Sequence, residues 1–284
     1  MYFPVNLYLR IVMIVVDLHN HTNASHARNS VSEMVASARE HGLRIYGFSE
    51  HSPRPLAYSY PKEYRDHLQA SFGNYVEDVL SFKQRDPELR VLLGMELDWF
   101  PAEPDFMQRA VAAHPFDYVI GGIHFLGTWG FDFSPEDWQR GPDFCEEQYV
   151  AYFRTLKDLA RSGLVNIAAH PDIIKLFSVE TFKGWLACPG SLDLVAEALT
   201  AIRDAGMGME ISSAGLRKPC REIYPGPEIM RLAAEIGVPI TFGSDAHDID
   251  TPAYGFDLLE KYARSFGYTH SLVFEHGERQ ELPF

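Results

Sequence analysis

Val16-Asp17-Leu18-His19-Asn20-His21 opens the first apolar run of the chain and ends it on two histidines. In an extended strand alternate residues share a face, so Asp17, His19 and His21 point one way and Val16, Leu18 and Asn20 the other. Two imidazoles at i and i+2 can chelate one ion from the open end of a sheet, although so short a pair also arises by chance on many surfaces. The same pattern recurs along the chain. Further β-rich runs at 45–51, 91–99, 118–125, 165–171, 208–213 and 239–247 join 14–21 as expected strands. Helical patterns at 31–41, 62–85, 105–113, 146–162, 192–205, 227–236 and 253–266 separate them. Gly42, Gly163, Gly206 and Gly237 stand where four of these helices stop, as suits a C-terminal cap. The unbroken β–α alternation predicts one α/β domain on a parallel sheet closed as a barrel, with an open doubly wound sheet as the rival arrangement. Polar residues gather at the C-terminal ends of the strand runs, where parallel α/β folds build their sites, and this favours the barrel.

Composition narrows the function. A hydrophobic share of 46% and a charged share of 23% exclude global disorder and coiled coil. Acidic residues number 39 against 25 basic ones, a net charge of −14 that repels phosphate backbones, so no nucleic-acid partner is expected. Cys145, Cys188 and Cys220 are widely spaced and form no CxxC pair, which argues against a zinc ribbon or disulfide framework and suits a reducing cytoplasm. The apolar run at 11–16 is too short to span a bilayer, so no membrane association is expected. Residues 1–13 read as a leader to a single domain over 1–284, with Met13 a candidate start. No sequence feature sets an oligomeric state.

The chemistry lies in the set rather than in any one motif. His19, His21, His26, His51, His124, His170 and His247 lie on or just after strand ends, together with Glu96 and Asp245. His41, His67, His114, His270 and His276 fall in helical or terminal stretches and read as solvated. Glu96 is embedded in Leu93-Gly94-Met95-Glu96-Leu97, and a buried carboxylate must be paired, protonated or coordinating. Nitrogen and oxygen donors without cysteine suit about two or three divalent ions of the Zn²⁺, Mn²⁺ or Fe²⁺ kind. Asp17 and Glu50 read as carboxylates that orient imidazoles, with ordinary exposed acids as the plainer alternative. Arg217 follows a strand and the small residues Ala214 and Gly215, which places a guanidinium near the mouth, where it can bind phosphate bidentately. Lys175, after His170-Pro171-Asp172, is a second candidate for the same role, set against a plain surface lysine.

The series Asp17-Leu18-His19-Asn20-His21, Glu50-His51, Gly94-Met95-Glu96, His124, His170-Pro171 and Ser244-Asp245-Ala246-His247 resembles the PHP (polymerase and histidinol phosphatase) family. The resemblance implies a distorted, TIM-barrel-like (β/α)7 barrel. It implies one ion held by His19, His21, Glu96 and Asp245, a second by His26, His51 and His247, and a third by Glu96, His124 and His170, with Glu96 bridging. Within the family, His51-Ser52-Pro53, Glu96-Leu97-Asp98, Gly121-Gly122-Ile123-His124-Phe125 and Ser213-Ala214-Gly215-Leu216-Arg217-Lys218-Pro219 are most similar to the histidinol-phosphate phosphatase branch. The chain departs from that branch at Gly122 and Ser212, where serine and asparagine are usual.

The expected activity is therefore hydrolysis of a small phosphomonoester, L-histidinol phosphate, within histidine biosynthesis. Paired ions lower the pKa of a shared water and clamp phosphoryl oxygens. A metal-bridging hydroxide would attack phosphorus in line, with Glu96 and Asp245 as catalytic carboxylates and Asp245 or a metal-bound water protonating the leaving alkoxide. A phosphodiesterase or exonuclease with the same ligands, and a non-catalytic metal-binding module, are the competing readings. The acidic charge weighs against the first, and a donor set larger than a structural site needs weighs against the second.

Overall fold

The computed structural model describes residues 13–58, 61–85 and 88–284, so the leader expected over 1–13 lies almost wholly outside the described residues. Among the described residues the elements are, in chain order, β1 (Val16–Asp17), α1 (Val31–Glu40), β2 (Ile45–Phe48), α2 (Lys62–Arg85), β3 (Arg90–Asp98), α3 (Pro104–Ala112) and β4 (Tyr118–Gly122). There follow β5 (Phe125–Leu126), β6 (Trp129–Gly130), α4 (Pro142–Arg161), β7 (Ile167–Ala168), α5 (Val179–Leu186), α6 (Ser191–Asp204), β8 (Gly208–Ser212), α7 (Pro227–Ile236), β9 (Ile240–Gly243), α8 (Phe256–Ser265), β10 (His270–Glu275) and β11 (Glu278–Pro283). Strands β1-β2-β3-β4-β7-β8-β9 form one 7-stranded parallel sheet in that order. The sheet closes on itself: Leu18 N–H donates to Phe242 O at 3.0 Å and His21 N–H to Ala246 O at 2.9 Å. The barrel is thereby preferred to the open sheet.

Strand alternation explains what the barrel holds. On β3, Val91, Leu93, Met95 and Leu97 join the large cluster under the helices. The alternate residues Leu92, Gly94, Glu96 and Asp98 turn inward. Leu92 belongs with Val16, Leu18, Ile45, Ile120 and Ile167 to a second apolar cluster that includes Leu272, Val273 and Phe274 of β10. The antiparallel β10–β11 hairpin, paired from His270↔Pro283 to Glu275↔Glu278, thus plugs the N-terminal end of the barrel, while the carboxylates face the other end. Tyr118 fills the middle and donates its hydroxyl to Leu18 O at 2.8 Å. The fit requires glycine opposite: a Cβ on Gly47 would stand 2.1 Å from the Tyr118 hydroxyl.

The hairpins β5–β6 and β10–β11 and the helix α5 were not expected from sequence, and β1 and β7 are shorter than the runs 14–21 and 165–171. The runs leave the ladder early because their ends turn toward the site. His170 and Asp245 adopt φ of 24° and 52°, in the left-handed region that non-glycine residues rarely enter. Among the described residues, no single helix is long and apolar enough to cross a membrane.

Candidate metal centre

Glu96 sits at the centre. It is buried on β3, with Oε2 lying 3.3 Å from His19 Nε2, 3.4 Å from His21 Nε2 and 3.0 Å from His51 Nδ1. Its Oε1 lies 3.0 Å from His170 Nε2 and 3.6 Å from His124 Nε2. One carboxylate therefore divides its oxygens between two groups of imidazoles. Asp245 Oδ1 stands 3.2 Å from His21 Nε2 and 3.7 Å from His19 Nε2. His26 stands at the open side, its ring 4.4 Å from that of His247 and 5.2 Å from that of His51. The nine expected ligands converge on one end of the barrel.

A further layer of acceptors sets the imidazole tautomers. The Nδ1–H of His19 donates to Glu210 at 2.7 Å, that of His21 to Glu50 at 3.2 Å, and that of His124 to Asp98 at 2.6 Å. His247 Nδ1 donates to the Asp245 carbonyl at 2.9 Å. A carboxylate or carbonyl can only accept, so in its neutral form each ring carries the free lone pair on Nε2 and aims it inward. Glu50 thus orients an imidazole as expected. Asp17 does not: its oxygens accept Ser244 N–H at 2.9 Å, Ser244 O–H at 2.6 Å and Ala253 N–H at 3.0 Å. It holds the turn that carries Asp245. Glu210 and Asp98 were missed, although a lone charge at an inward position of an apolar strand was there to be read.

These residues fit a cation. His19 Nε2, His21 Nε2, His51 Nδ1 and His247 Nε2 are buried without a hydrogen-bond partner. Bare nitrogen lone pairs facing carboxylate lone pairs repel, and a positive ion between them removes the conflict. Single donor atoms of His19, His21 and Asp245 lie within 4.8 Å of one another, as do those of His21, His51 and His247, and those of His19, Glu96 and His170. A fourth group among the described residues, Asp117, Glu275 and His276, lies at the opposite end of the barrel. There Lys83 and Arg90 already pair with its carboxylates.

Titration behaviour divides the histidines. Burial works against a proton on His21, but Asp245 and Glu50 outweigh it and lift the group to about 9. Burial pushes His247 down to about 3, helped by the charge of His21. Burial opposes ionisation of Glu96, yet His19, His51 and His124 hold it well below the usual carboxylate range.

The site opens into a cavity of about 580 Å³, lined by His26, His51, Glu96, His124, His170, Asp245 and His247 and by Arg54, Tyr64, Asp132, Phe133, Arg217 and Lys218, with His19 and His21 outside the lining. A larger groove of about 880 Å³, between α4 and α6, holds none of the expected residues. Arg217 donates Nη2–H to the Asp245 carbonyl at 3.1 Å and also reaches the Ser244 carbonyl. Lys175 does not line the cavity. It is buried with its ammonium 2.8 Å from Asp172 and 3.2 Å from Glu222, because the turn after His170 directs it beneath the site. Lys218, which the sequence reading passed over, occupies the position proposed for it, with Nζ 2.8 Å from Asp245 Oδ2. At Gly122, a Cβ would stand 2.6 Å from Glu96 Oε1 and 2.8 Å from His124 Cε1, so glycine lets these two groups approach as they do.

The PHP domain model matches residues 17–214. A probable histidinol-phosphatase of Deinococcus radiodurans is 31% identical over 278 residues, covering 93% of this chain and 98% of its own. One from Schizosaccharomyces pombe is 25% identical, covering 92% and 90%. The solved Lactococcus lactis histidinol phosphate phosphatase, complexed with zinc, L-histidinol and phosphate, has a TM-score of 0.72 at 18% identity, covering 93% of this chain and 98% of that one. The Listeria monocytogenes hisK structure has a TM-score of 0.77 at 24% identity, covering 86% and 99%. These two share the fold, and the sequence match over most of the barrel makes the present chain a member of the PHP domain family.

Proposed function

We propose that this protein is a metal-dependent phosphomonoesterase that hydrolyses L-histidinol phosphate to L-histidinol and phosphate. The observation that carries the reading is the division of the Glu96 oxygens between two sets of imidazoles at the floor of an open cavity. The names of the relatives at 31% and 25% identity support the choice of substrate. His19, His21, His26, His51, Glu96, His124, His170, Asp245 and His247 would hold two or three divalent ions, with zinc, manganese and iron all suited to the donors. Such ions supply Lewis acidity toward phosphoryl oxygens and a nucleophilic water near neutral pH.

The chain's own groups do the rest. Glu210, Glu50 and Asp98 keep His19, His21 and His124 in the tautomer that presents Nε2. Arg217 and Lys218 add fixed positive charge beside Asp245, which suits a dianionic phosphate despite the net charge of −14. Asp245, with one oxygen toward the imidazoles and the other on Lys218, would relay a proton from the attacking water to the leaving alkoxide, with a water on the ions as the other donor. The cavity takes a small molecule, and no basic tract accompanies it for nucleic acid.

The deciding experiment assays metal-loaded protein side by side on histidinol phosphate, a phosphodiester and single-stranded DNA. Phosphate release from the first alone, abolished by EDTA with circular dichroism retained, is the expected result. Preferential cleavage of DNA would replace this reading with the nucleolytic one, and no turnover of any substrate would leave a metal-binding module.

A further inference from the structure

Arg217 sits in a socket. Its guanidinium lines the cavity, and Nη2 donates to the carbonyls of Ser244 and Asp245, the latter at 3.1 Å. Nε is buried without a hydrogen-bond partner, so the group keeps a donor that no protein atom uses. The guanidinium also lies over the ring of Tyr254, its central carbon 5.4 Å from the centroid. Bonds from Nη2 alone leave the plane of a long side chain free to tilt about them. A ring against its face removes that freedom.

Tyr254 is 42% exposed, so core packing does not account for it. The backbone before it fixes its place. Ala253 adopts φ of 55°, in the left-handed region that alanine rarely enters, and its N–H donates to Asp17 Oδ2 at 3.0 Å. Tyr254 N–H donates to Thr251 O at 3.1 Å and closes the turn. Gly255 then brings the loop against the turn that carries Arg217: a Cβ there would stand 3.4 Å from Leu216 Cδ1 and 3.8 Å from Ser213 Cβ. Asp17 also accepts Ser244 N–H at 2.9 Å. One buried carboxylate thus anchors both a residue whose carbonyl Arg217 meets and the residue before the ring.

We propose that Tyr254 is a positioning residue, whose ring holds the Arg217 guanidinium in the orientation that grips a phosphoryl oxygen without itself touching the substrate. The inference rests on the phosphomonoesterase reading and deepens it, by naming what makes Arg217 competent. A guanidinium is attracted to the negative face of an aromatic ring and stacks there with the N–H groups along its edge left free. A phosphate oxygen is the acceptor that the buried Nε–H lacks. A donor set in place beforehand loses little rotamer freedom on binding, so the effect of the ring is phosphate affinity.

The test is calorimetric titration of metal-loaded protein with inorganic phosphate. Tyr254→Leu should weaken binding about 3- to 10-fold, the range of one cation–π contact at a half-exposed position. Tyr254→Phe keeps the aromatic face and should bind as the wild type does. In an Arg217→Met background, Tyr254→Leu should change nothing further, because the ring acts only through the guanidinium. Equal affinity in wild type and Tyr254→Leu overturns the proposal. So does a loss in Tyr254→Phe as large as that in Tyr254→Leu, which would make the hydroxyl the active group, or a full loss in the Arg217→Met background, which would mean that the ring acts independently of Arg217. If the wild type binds phosphate but turns over no ester, the phosphatase reading falls, while weaker binding in Tyr254→Leu still supports this one. If the wild type binds no phosphate, both fall.

Discussion

Glu210 Oε1 accepts the Nδ1 proton of His19 at 2.7 Å, with both side chains fully enclosed in the barrel. The other oxygen, Oε2, accepts the backbone N–H of His170 at 2.7 Å. One carboxylate thus sets both a ring and a backbone turn that carry expected ligands, without touching the cavity itself. Glu210→Gln keeps the volume but offers an amide N–H₂ where an acceptor is needed. Metal affinity should fall about 10- to 100-fold, as for other partners of ligating histidines. Titration of metal-free protein with Zn²⁺ or Mn²⁺ against a competing chelator checks it, and an unchanged affinity would remove Glu210 from the site.

Glu96→Gln should cost more than one metal equivalent, because its two oxygens serve two groups of histidines. Elemental analysis after gel filtration reads the stoichiometry. Full metal content with full activity would show that the carboxylate bridges nothing.

Lys175→Met should damage the fold and spare the chemistry. Breaking a buried pair by removing one partner costs about 3–5 kcal/mol, here by stranding Asp172 beneath the site. The urea midpoint should drop accordingly, while kcat/KM of the folded protein stays at the wild-type value. A large loss of kcat/KM with an unmoved midpoint would return Lys175 to substrate binding.

The metal-free protein should be most stable near pH 6.5 and weaken on both sides. His21 is lifted from 6.5 to about 9 in the fold, so its contribution is complete below pH 6.5 and is lost as pH rises through 9. His247 is pushed from 6.5 to about 3, so below pH 6.5 the unfolded chain binds the proton more readily and stability falls toward pH 3. Because a metal must displace the proton on His21, affinity should climb between pH 6.5 and 9, and loading at pH 7.5 should acidify a weakly buffered solution. Thermal melts across pH, with and without metal, and a pH indicator dye measure both. A metal-free Tm that rises steadily to pH 9 would contradict the assignment.

Much of this site is written in strand alternation. Glu96 is legible because it is the charged residue inside an apolar run, and Glu210 carries the same mark between Met209 and Ile211. What alternation cannot convey is where a chain goes once it leaves the ladder. Lys175 and Lys218 both follow a strand end, yet one turns beneath the site and the other into the cavity, a choice made by the short turns at Ile173–Lys175 and Ala214–Leu216. The early ends of β7 and β9 have the same origin, since His170 and Asp245 satisfy the site at the expense of regular backbone. The β10–β11 hairpin was illegible for another reason: its inward residues Leu272 and Phe274 acquire meaning only once a barrel exists for them to plug.

Among the described residues, that plug fills one end of the barrel and the cavity opens at the other. Whatever is cleaved inside must leave in the order of depth, the alcohol first and the phosphate, lying on the floor, afterwards. Kinetically the protein should behave as an ordered one-substrate, two-product system. Phosphate should inhibit in competition with the substrate, whereas the alcohol should inhibit noncompetitively by meeting the complex that still holds phosphate. Metal ions take the same route, so bound phosphate should also slow their escape to a chelator.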